Sequence, residues 1–344
     1  MRQLLNTLFV TTHNAYLRLE GETLCVEVEH EKKLQVPLHH LGSIVAFGDV
    51  MLTPALLRRC ATDGRSVVLP DRNGQFSGRL EGPVSGNILL RQAQHQAAAD
   101  HASTVAIARA CIAGKLRNSR YVLLRGAREA KADADAKTLR QAAKLFANHQ
   151  RDLSGATNLD ILRGLEGDSA RIYFGALPAL IRAEQRATFA FEQRSRRPPR
   201  DAFNALISFL YTLLVHDCQG ALEGVGLDPQ LGFLHAVRPG RPGLALDLME
   251  EFRAVIADRL ALTLINRSQL TAKHFEPRPG GAVYLNDDGR RTVLTAYQQR
   301  KQEEITHPLF GQSVSIGLLP HVQARLLARV LRGDMASYLP FMNR

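Results

Sequence analysis

The stretch "ILLRQAQHQAAADHASTVAIARACIAGKLRNSRYVLLRGAR", residues 88–128, is rich in alanine and repeats its apolar residues at helical spacing. The chain before it has a different texture. "AYLRLEGETLCVEVE" (15–29) alternates Ala15, Leu17 and Leu19, turns at Glu20-Gly21-Glu22, then alternates Leu24, Val26 and Val28. That pattern is a β-hairpin with one buried and one wet face. "SIVAFG" (43–48) and "RSVVLPDRNGQFSGRL" (65–80) read as further short strands, the second folding back at Asn73-Gly74. Between them "TPALLRRCATDG" (53–64) reads as a short helix, with Pro54 at its start and Gly64 just past its end. Beyond residue 88 helical patterns run to the C-terminus, broken by one expected hairpin, "GGAVYLNDDGRRTVLTAY" (280–297). The expected fold class is α+β. A small β-sandwich-like domain spans residues 1–82, and a larger, mostly α-helical domain spans residues 83–344.

A chain of 344 residues can bury a large core, and 45% hydrophobic with 22% charged residues is ordinary for a folded protein. Its formal charge of +11 is not ordinary, and it points to a polyanionic partner, nucleic acid ahead of an anionic membrane. Cys25, Cys60, Cys111 and Cys218 form no CxxC pair, so neither a zinc ribbon nor a disulfide framework is indicated. The N-terminus lacks a signal-peptide cleavage pattern. The run "FNALISFLYTLLV" (203–215) is short for a bilayer and carries Asn204 and Ser208. The expected location is cytoplasmic, with no membrane partner. Walker, Rossmann and HExxH patterns are absent, which removes support for nucleotide-driven and zincin chemistry.

Two segments carry carboxylates in apolar surroundings. In "NLDILRGLEGDSARIYFGALPALI" (158–181), Leu159, Leu162, Ala170, Tyr173 and Leu177 share the helical face of Glu166. A glutamate there is costly unless it is paired. The flanking Gly164 and Gly167 suggest close approach of another backbone or a ligand. In "GFLHAVRPGRPGLALDLMEEFR" (232–253), Asp247 and Glu250 lie at i and i+3 at a helix start, and their face continues through Ala254, Ala257 and Ala261. Glu251 is rotated away and is expected in solvent. His235 precedes this helix. A solvated helix start, a salt-bridged core and a metal site all remain open on these residues. A histidine with two or three carboxylates can hold magnesium or manganese beside a phosphate.

Three segments together resemble the CRISPR-associated adaptation integrases, the "Cas one" family, in its subtype I-C branch. "LRGLEGDSARIYF" (162–174) is similar to the family's Glu-Gly helix motif, "LDPQLGFLHAVRPG" (227–240) to its histidine motif, and "LALDLMEEFR" (244–253) to its acidic helix. "NALISFLYTLLVHDCQGAL" (204–222) is similar to the helix before the histidine motif, and residues 39–76 to the family's β domain. The resemblance implies Glu166, His235 and Glu250 as ligands of Mg2+ or Mn2+, with Asp247 as the adjacent acid, and Asn204, Tyr211 and Tyr173 near the site. It implies a homodimer whose β domains contribute the dimer contact. It also implies a heterohexamer with a small second adaptation protein ("Cas two"), acting on double-stranded DNA: the captured fragment and the CRISPR repeat.

Arginines would supply the phosphate contacts. Arg238 and Arg241 follow His235, while "IRAEQRATFAFEQRSRRPPR" (181–200) offers Arg182, Arg186, Arg194, Arg196, Arg197 and Arg200, or is simply an exposed loop. The expected reaction is metal-dependent phosphoryl transfer in which a DNA 3′-hydroxyl attacks a repeat phosphodiester, with hydrolysis when water attacks. The alternatives are a non-catalytic DNA-binding scaffold with a salt-bridged pseudo-site, and a metal-dependent hydrolase of small phosphate esters.

Overall fold

A computed structural model describes residues 7–71, 76–80, 82 and 88–343. The N-terminal region holds β1 (Thr7–Val10), β2 (Tyr16–Glu20), β3 (Thr23–Val28), β4 (Glu31–Pro37), β5 (Ser43–Ala46), β6 (Met51–Leu52), α1 (Pro54–Thr62), β7 (Ser66–Pro70) and β8 (Phe76–Leu80). They form two four-stranded sheets, ordered β1-β5-β7-β8 and β4-β3-β2-β6. The expected hairpin is β2–β3, paired antiparallel with Leu17 opposite Val26 and Leu19 opposite Leu24. The first sheet is mixed, because β1, β5 and β7 run parallel and only β8 turns back. Parallel neighbours require crossovers, and α1 supplies one, started by the Thr53 cap and Pro54. Leu17, Leu24, Ile44, Leu56, Cys60 and Val67 close one apolar cluster among these elements. Val45, Phe47 and Val68 join the helices' core instead, so the first sheet carries an apolar face on each side. The Asn73-Gly74 turn lies outside the described residues. All four cysteines are buried and free.

The helical region comprises α2 (Ile88–Ala99), α3 (His101–Glu129), α4 (Asp133–Asp152), α5 (Leu159–Ala176) and α6 (Ala202–Val225). It continues with α7 (Gly243–Met249), a π-helical stretch Arg253–Asp258, and α8 (Arg259–Asn266). The strand pair β9 (Phe275–Arg278) and β10 (Ala282–Leu285) follows, then α9 (Asp287–Gln302), β11 (Glu304–Thr306), β12 (Ser313–Ser315) and α10 (Leu319–Leu331). The chain is therefore α+β with strands first and helices after. Residues 280–297 are not a hairpin. β10 pairs backward with β9, and Asn286 caps α9 by accepting the Gly289 N–H at 2.9 Å, with Asp287 and Asp288 in its first turn. The turn residues Asn-Asp-Asp-Gly are a helix start here, and the hairpin turn is Pro279-Gly280-Gly281 upstream. Helix α6 exceeds the apolar run read from the sequence and is long and apolar enough to cross a bilayer. In this fold Phe203, Leu206, Ile207, Leu210 and Leu222 are buried in the core, with α10 and α7 packed against the helix.

The segment after Met249 departs most from a regular helix. Glu251, expected in solvent, is 0% exposed. The turn at 250–252 and the following π stretch add rotation that a 3.6-residue count does not include. The carboxylate of Glu251 anchors the C-terminal tail by accepting from the Tyr338 hydroxyl, from Gln323 Nε2 at 3.0 Å and from the Phe341 N–H at 2.7 Å. On α3, Asn118 Nδ2 donates to the carbonyls of Glu251 (2.7 Å) and Phe341 (2.9 Å), and its Oδ1 accepts the Asn343 N–H. Tail, α3 and the acidic segment are thereby tied together.

Replacing Tyr338 with Phe leaves one buried Glu251 oxygen short of a donor, and the expected loss is about 1–3 kcal/mol. An unchanged denaturant midpoint would count against that anchor. On α6, burial lowers the pKa of His216 to about 4 from its ordinary 6.5. Between those values the unfolded chain binds a proton that the folded chain refuses, so stability is full above about 6.5 and falls as the pH drops toward 4. His216→Gln should flatten the melting temperature's pH dependence in that window, an effect of no more than about 2–3 kcal/mol.

Candidate active site

Two glycines bring the histidine loop onto α7. A Cβ on Gly232 would lie 2.6 Å from the Gly243 carbonyl carbon, and one on Gly243 would lie 2.7 Å from the Gln230 oxygen. With hydrogens there, the backbones touch and residues 233–235 reach the buried Asp247. Its Oδ2 accepts the N–H groups of Phe233 (2.6 Å) and Leu234 (3.0 Å), and its Oδ1 accepts the N–H of His235 (3.0 Å). Oδ1 also meets His235 Nδ1 at 2.6 Å. Both Asp247 oxygens are committed within the chain, and Nε2 is left as the ring nitrogen available to a ligand. Neither acid is a helix-start residue: α7 begins at Gly243, Asp247 lies in its middle and Glu250 at its C-cap.

Glu250 is 1% exposed. Its Oε1 lies 2.9 Å from an Arg253 guanidinium nitrogen, and its Oε2 lies 2.9 Å from Lys115 Nζ. Burial would raise this carboxyl's pKa, but Arg253, Lys115 and His235 overcome it and bring the pKa to about 2. Lys115, buried on α3, also donates to Glu166 on α5. One ammonium thus joins the two glutamates singled out from separate helices. Leu162, Tyr173 and Leu177 of the Glu166 face are buried as expected. Gly164 and Gly167 are not points of backbone contact, since a Cβ on either would meet nothing within 4 Å. They leave open space beside Glu166.

Beneath the acids lies an aromatic and cationic layer. The Arg253 guanidinium stacks 5.1 Å from the Tyr211 ring centroid, and the Tyr211 hydroxyl donates to Asp258 at 2.7 Å. Burial raises the Asp258 pKa to about 6, although the Tyr211 and Tyr173 hydroxyls beside it favour the anion. Arg194 lies 5.6 Å from the same Tyr211 ring and donates to Asn204 Oδ1 (2.7 Å) and Ser208 Oγ (3.0 Å). Its guanidinium is committed to packing, which removes it from the cations free to meet phosphate. Arg186 is likewise held by Asp135 (2.6 Å) and the Ile181 carbonyl (2.9 Å). Arg182 is exposed and reaches the Asn266 carbonyl, whereas Arg196, Arg197 and Arg238 are exposed and Arg241 is half-buried.

Sequence reading missed Lys115, Arg253 and Asp258. The signal for Lys115 was a lysine on a long apolar helix, and for Asp258 an acid in "AVIADRLAL"; neither identified its partner. Two glutamates, one of them with a buried oxygen that lacks a well-formed hydrogen bond, and an imidazole nitrogen suit a hard divalent cation in type. Among the described residues, no three His, Cys, Asp or Glu side chains are already gathered as a metal-binding group. The Lys115 ammonium stands between the two glutamates and supplies the positive charge they require.

Comparison with known proteins matches residues 8–299 to the family described as CRISPR associated protein Cas1. The chain is 56% identical, over 100% of both chains, to CRISPR-associated endonuclease Cas1 1 of Moorella thermoacetica. It is 48% identical, again over 100% of both, to CRISPR-associated endonuclease Cas1 1 of Chlorobaculum tepidum. Its fold superposes on the structure of a CAS1 protein from Thermotoga maritima with a TM-score of 0.80 at 25% identity, covering 95% of this chain and 97% of the other. The chain belongs to the Cas1 family of CRISPR-associated proteins.

Proposed function

We propose that this chain is the metal-dependent endonuclease and integrase of CRISPR adaptation, joining the 3′-hydroxyl ends of captured DNA to the CRISPR repeat by phosphoryl transfer. The observation that carries the reading is the meeting of Glu166 and Glu250 on one cationic group beside a histidine whose Nδ1 is held by Asp247. Glu166, Glu250 and the Nε2 of His235 would hold Mg2+ or Mn2+, and Asp247 orients the imidazole. Such a metal, when bound, supplies Lewis-acid charge to a phosphodiester. Arg253 holds Glu250 ionised and fixed from behind, so the carboxylate needs little rearrangement to act. Arg238 and Arg241, on the loop after His235, would hold DNA phosphates in line. The attacking group is the DNA's own 3′-hydroxyl, or water in the nuclease reaction, so no covalent protein nucleophile is required.

We also infer a unit of residues 1–82 that contributes the contact of a homodimer, and a unit of residues 83–344 that carries the site. Two such dimers would join the small second adaptation protein in a heterohexamer on double-stranded DNA. The formal charge of +11 supports the polyanionic partner. One observation favours a second reading, a DNA-binding scaffold with a pseudo-site: Lys115 already neutralises both glutamates.

Supercoiled repeat DNA with a short duplex, the partner protein and Mn2+ separates the two readings. Glu166→Ala or chelation should reduce integration roughly a hundred-fold or more while duplex binding persists. Duplex binding with no integration by the unaltered chain would favour the scaffold reading, and integration that survives both changes would overturn the metal-dependent mechanism. Asp247→Asn keeps every proposed ligand but disturbs the His235 ring. Its Mn2+ affinity, read by electron paramagnetic resonance, should fall about 10–100-fold, and an unchanged affinity would remove the orienting role.

A further inference from the structure

A second cationic feature lies away from the acidic site. The C-terminal turns of α3, the start of α4, the Ala179–Glu184 stretch and α8 enclose a cavity of about 360 Å³. Gly126 allows the close approach that shapes its wall, because a Cβ there would strike Leu180 Cδ2. Six cations line it against three carboxylates. Two of the acids, Glu129 and Asp135, are spent on Arg125 and Arg186. Arg259 stands in the wall partly buried, and its pKa is lowered by burial and then by the nearby Arg300 and Arg125. No hydrogen bond to its guanidinium is present among the described residues. Lys131 and Arg267, both exposed, complete the rim. Helix α4 starts at the same wall with Ala132 as its N-cap, so no side chain satisfies its first N–H groups.

A half-buried guanidinium with like charges nearby and no hydrogen-bonded acceptor gains from an anion that completes it. Gly126 lies eleven residues beyond Lys115 on nearly the same face of α3, about 16 Å along the helix. We propose that this cavity is a phosphodiester-binding subsite, in which Arg259, Lys131 and Arg267 grip one backbone phosphate of a single DNA strand. Its size suits a phosphate and part of one nucleotide rather than a duplex. The proposal rests on the DNA-processing reading above, and goes beyond it by assigning residues outside the acidic site.

The test uses the full chain carrying Glu166→Ala, in chelator, so chemistry at the acidic site cannot affect the result. Binding of a fluorescein-labelled oligo-dT strand is followed by anisotropy at several salt concentrations. Arg259→Ala should weaken binding roughly ten-fold and reduce the slope of log K against log salt by about 0.7 for each phosphate no longer neutralised. Lys131→Ala and Arg267→Ala, at exposed positions that pose little risk to folding, should each weaken binding about two- to five-fold. Arg259→Lys should recover part of the loss, and thermal melts verify that each variant folds. Unchanged strand binding in all three alanine variants would overturn the subsite while leaving the DNA reading intact. A parent chain that binds no strand even at low salt would overturn the subsite, and one that also binds no duplex would overturn the DNA reading as well. Inorganic phosphate, titrated by calorimetry, separates the sources: phosphate binding abolished in Arg259→Ala with strand binding unchanged would replace the strand with a free anion and overturn the proposal.

Discussion

Four carboxylates within twelve residues, Asp247, Glu250, Glu251 and Asp258, are buried in an otherwise apolar core. Burying a carboxyl group without hydrogen-bond partners is costly, and more so when it is ionised, so each is met by its own donors. Asp247 takes three backbone N–H groups and an imidazole. Glu250 takes two cations, Glu251 takes the C-terminal tail, and Asp258 takes the Tyr211 hydroxyl. Much of the helical region is arranged to deliver those donors. Helix α3 brings Lys115 and Asn118, α6 brings Tyr211, and α10 with the tail brings Gln323, Tyr338 and Phe341.

This arrangement assigns different work to neighbouring residues. Asp247 is saturated by the chain, so its contribution is to orient His235. Glu250 is the acid with an oxygen facing a single ammonium and no well-formed hydrogen bond. Glu251 faces the other way and holds the chain's end. Three consecutive functions in five residues require an interruption in the helix, and the turn at 250–252 with the π stretch provides it.

Lys115 makes the region internally consistent without a metal. It satisfies Glu166 and Glu250 together, where two facing carboxylates alone would repel one another. Arg253 and the Tyr211 ring form a second, permanent layer of support that does not depend on Lys115.

Local pattern alone determined much of this protein. Alternation gave the β2–β3 hairpin, because a two-residue period dictates which face is buried. Pro54 and Gly64 marked α1, and the Glu166 stripe lay on a real helix with its apolar face inward. The segments holding Glu166, His235, Asp247 and Glu250 were recognisable because each pairs an acid or imidazole with small or apolar neighbours. Tertiary structure decided the rest. Wheel counting puts Glu251 in solvent because it assumes an unbroken 3.6-residue helix, and Asn-Asp-Asp-Gly within residues 280–297 suits either a hairpin turn or a helix cap. Arg194 looked like one of several equivalent loop arginines until Asn204 and Tyr211 closed around it. Lys115 could not be linked to Glu166 or Glu250 from spacing, since the three stand on separate elements. Local sequence sets period and capping, but which distant charges neutralise one another is settled only when the helices pack.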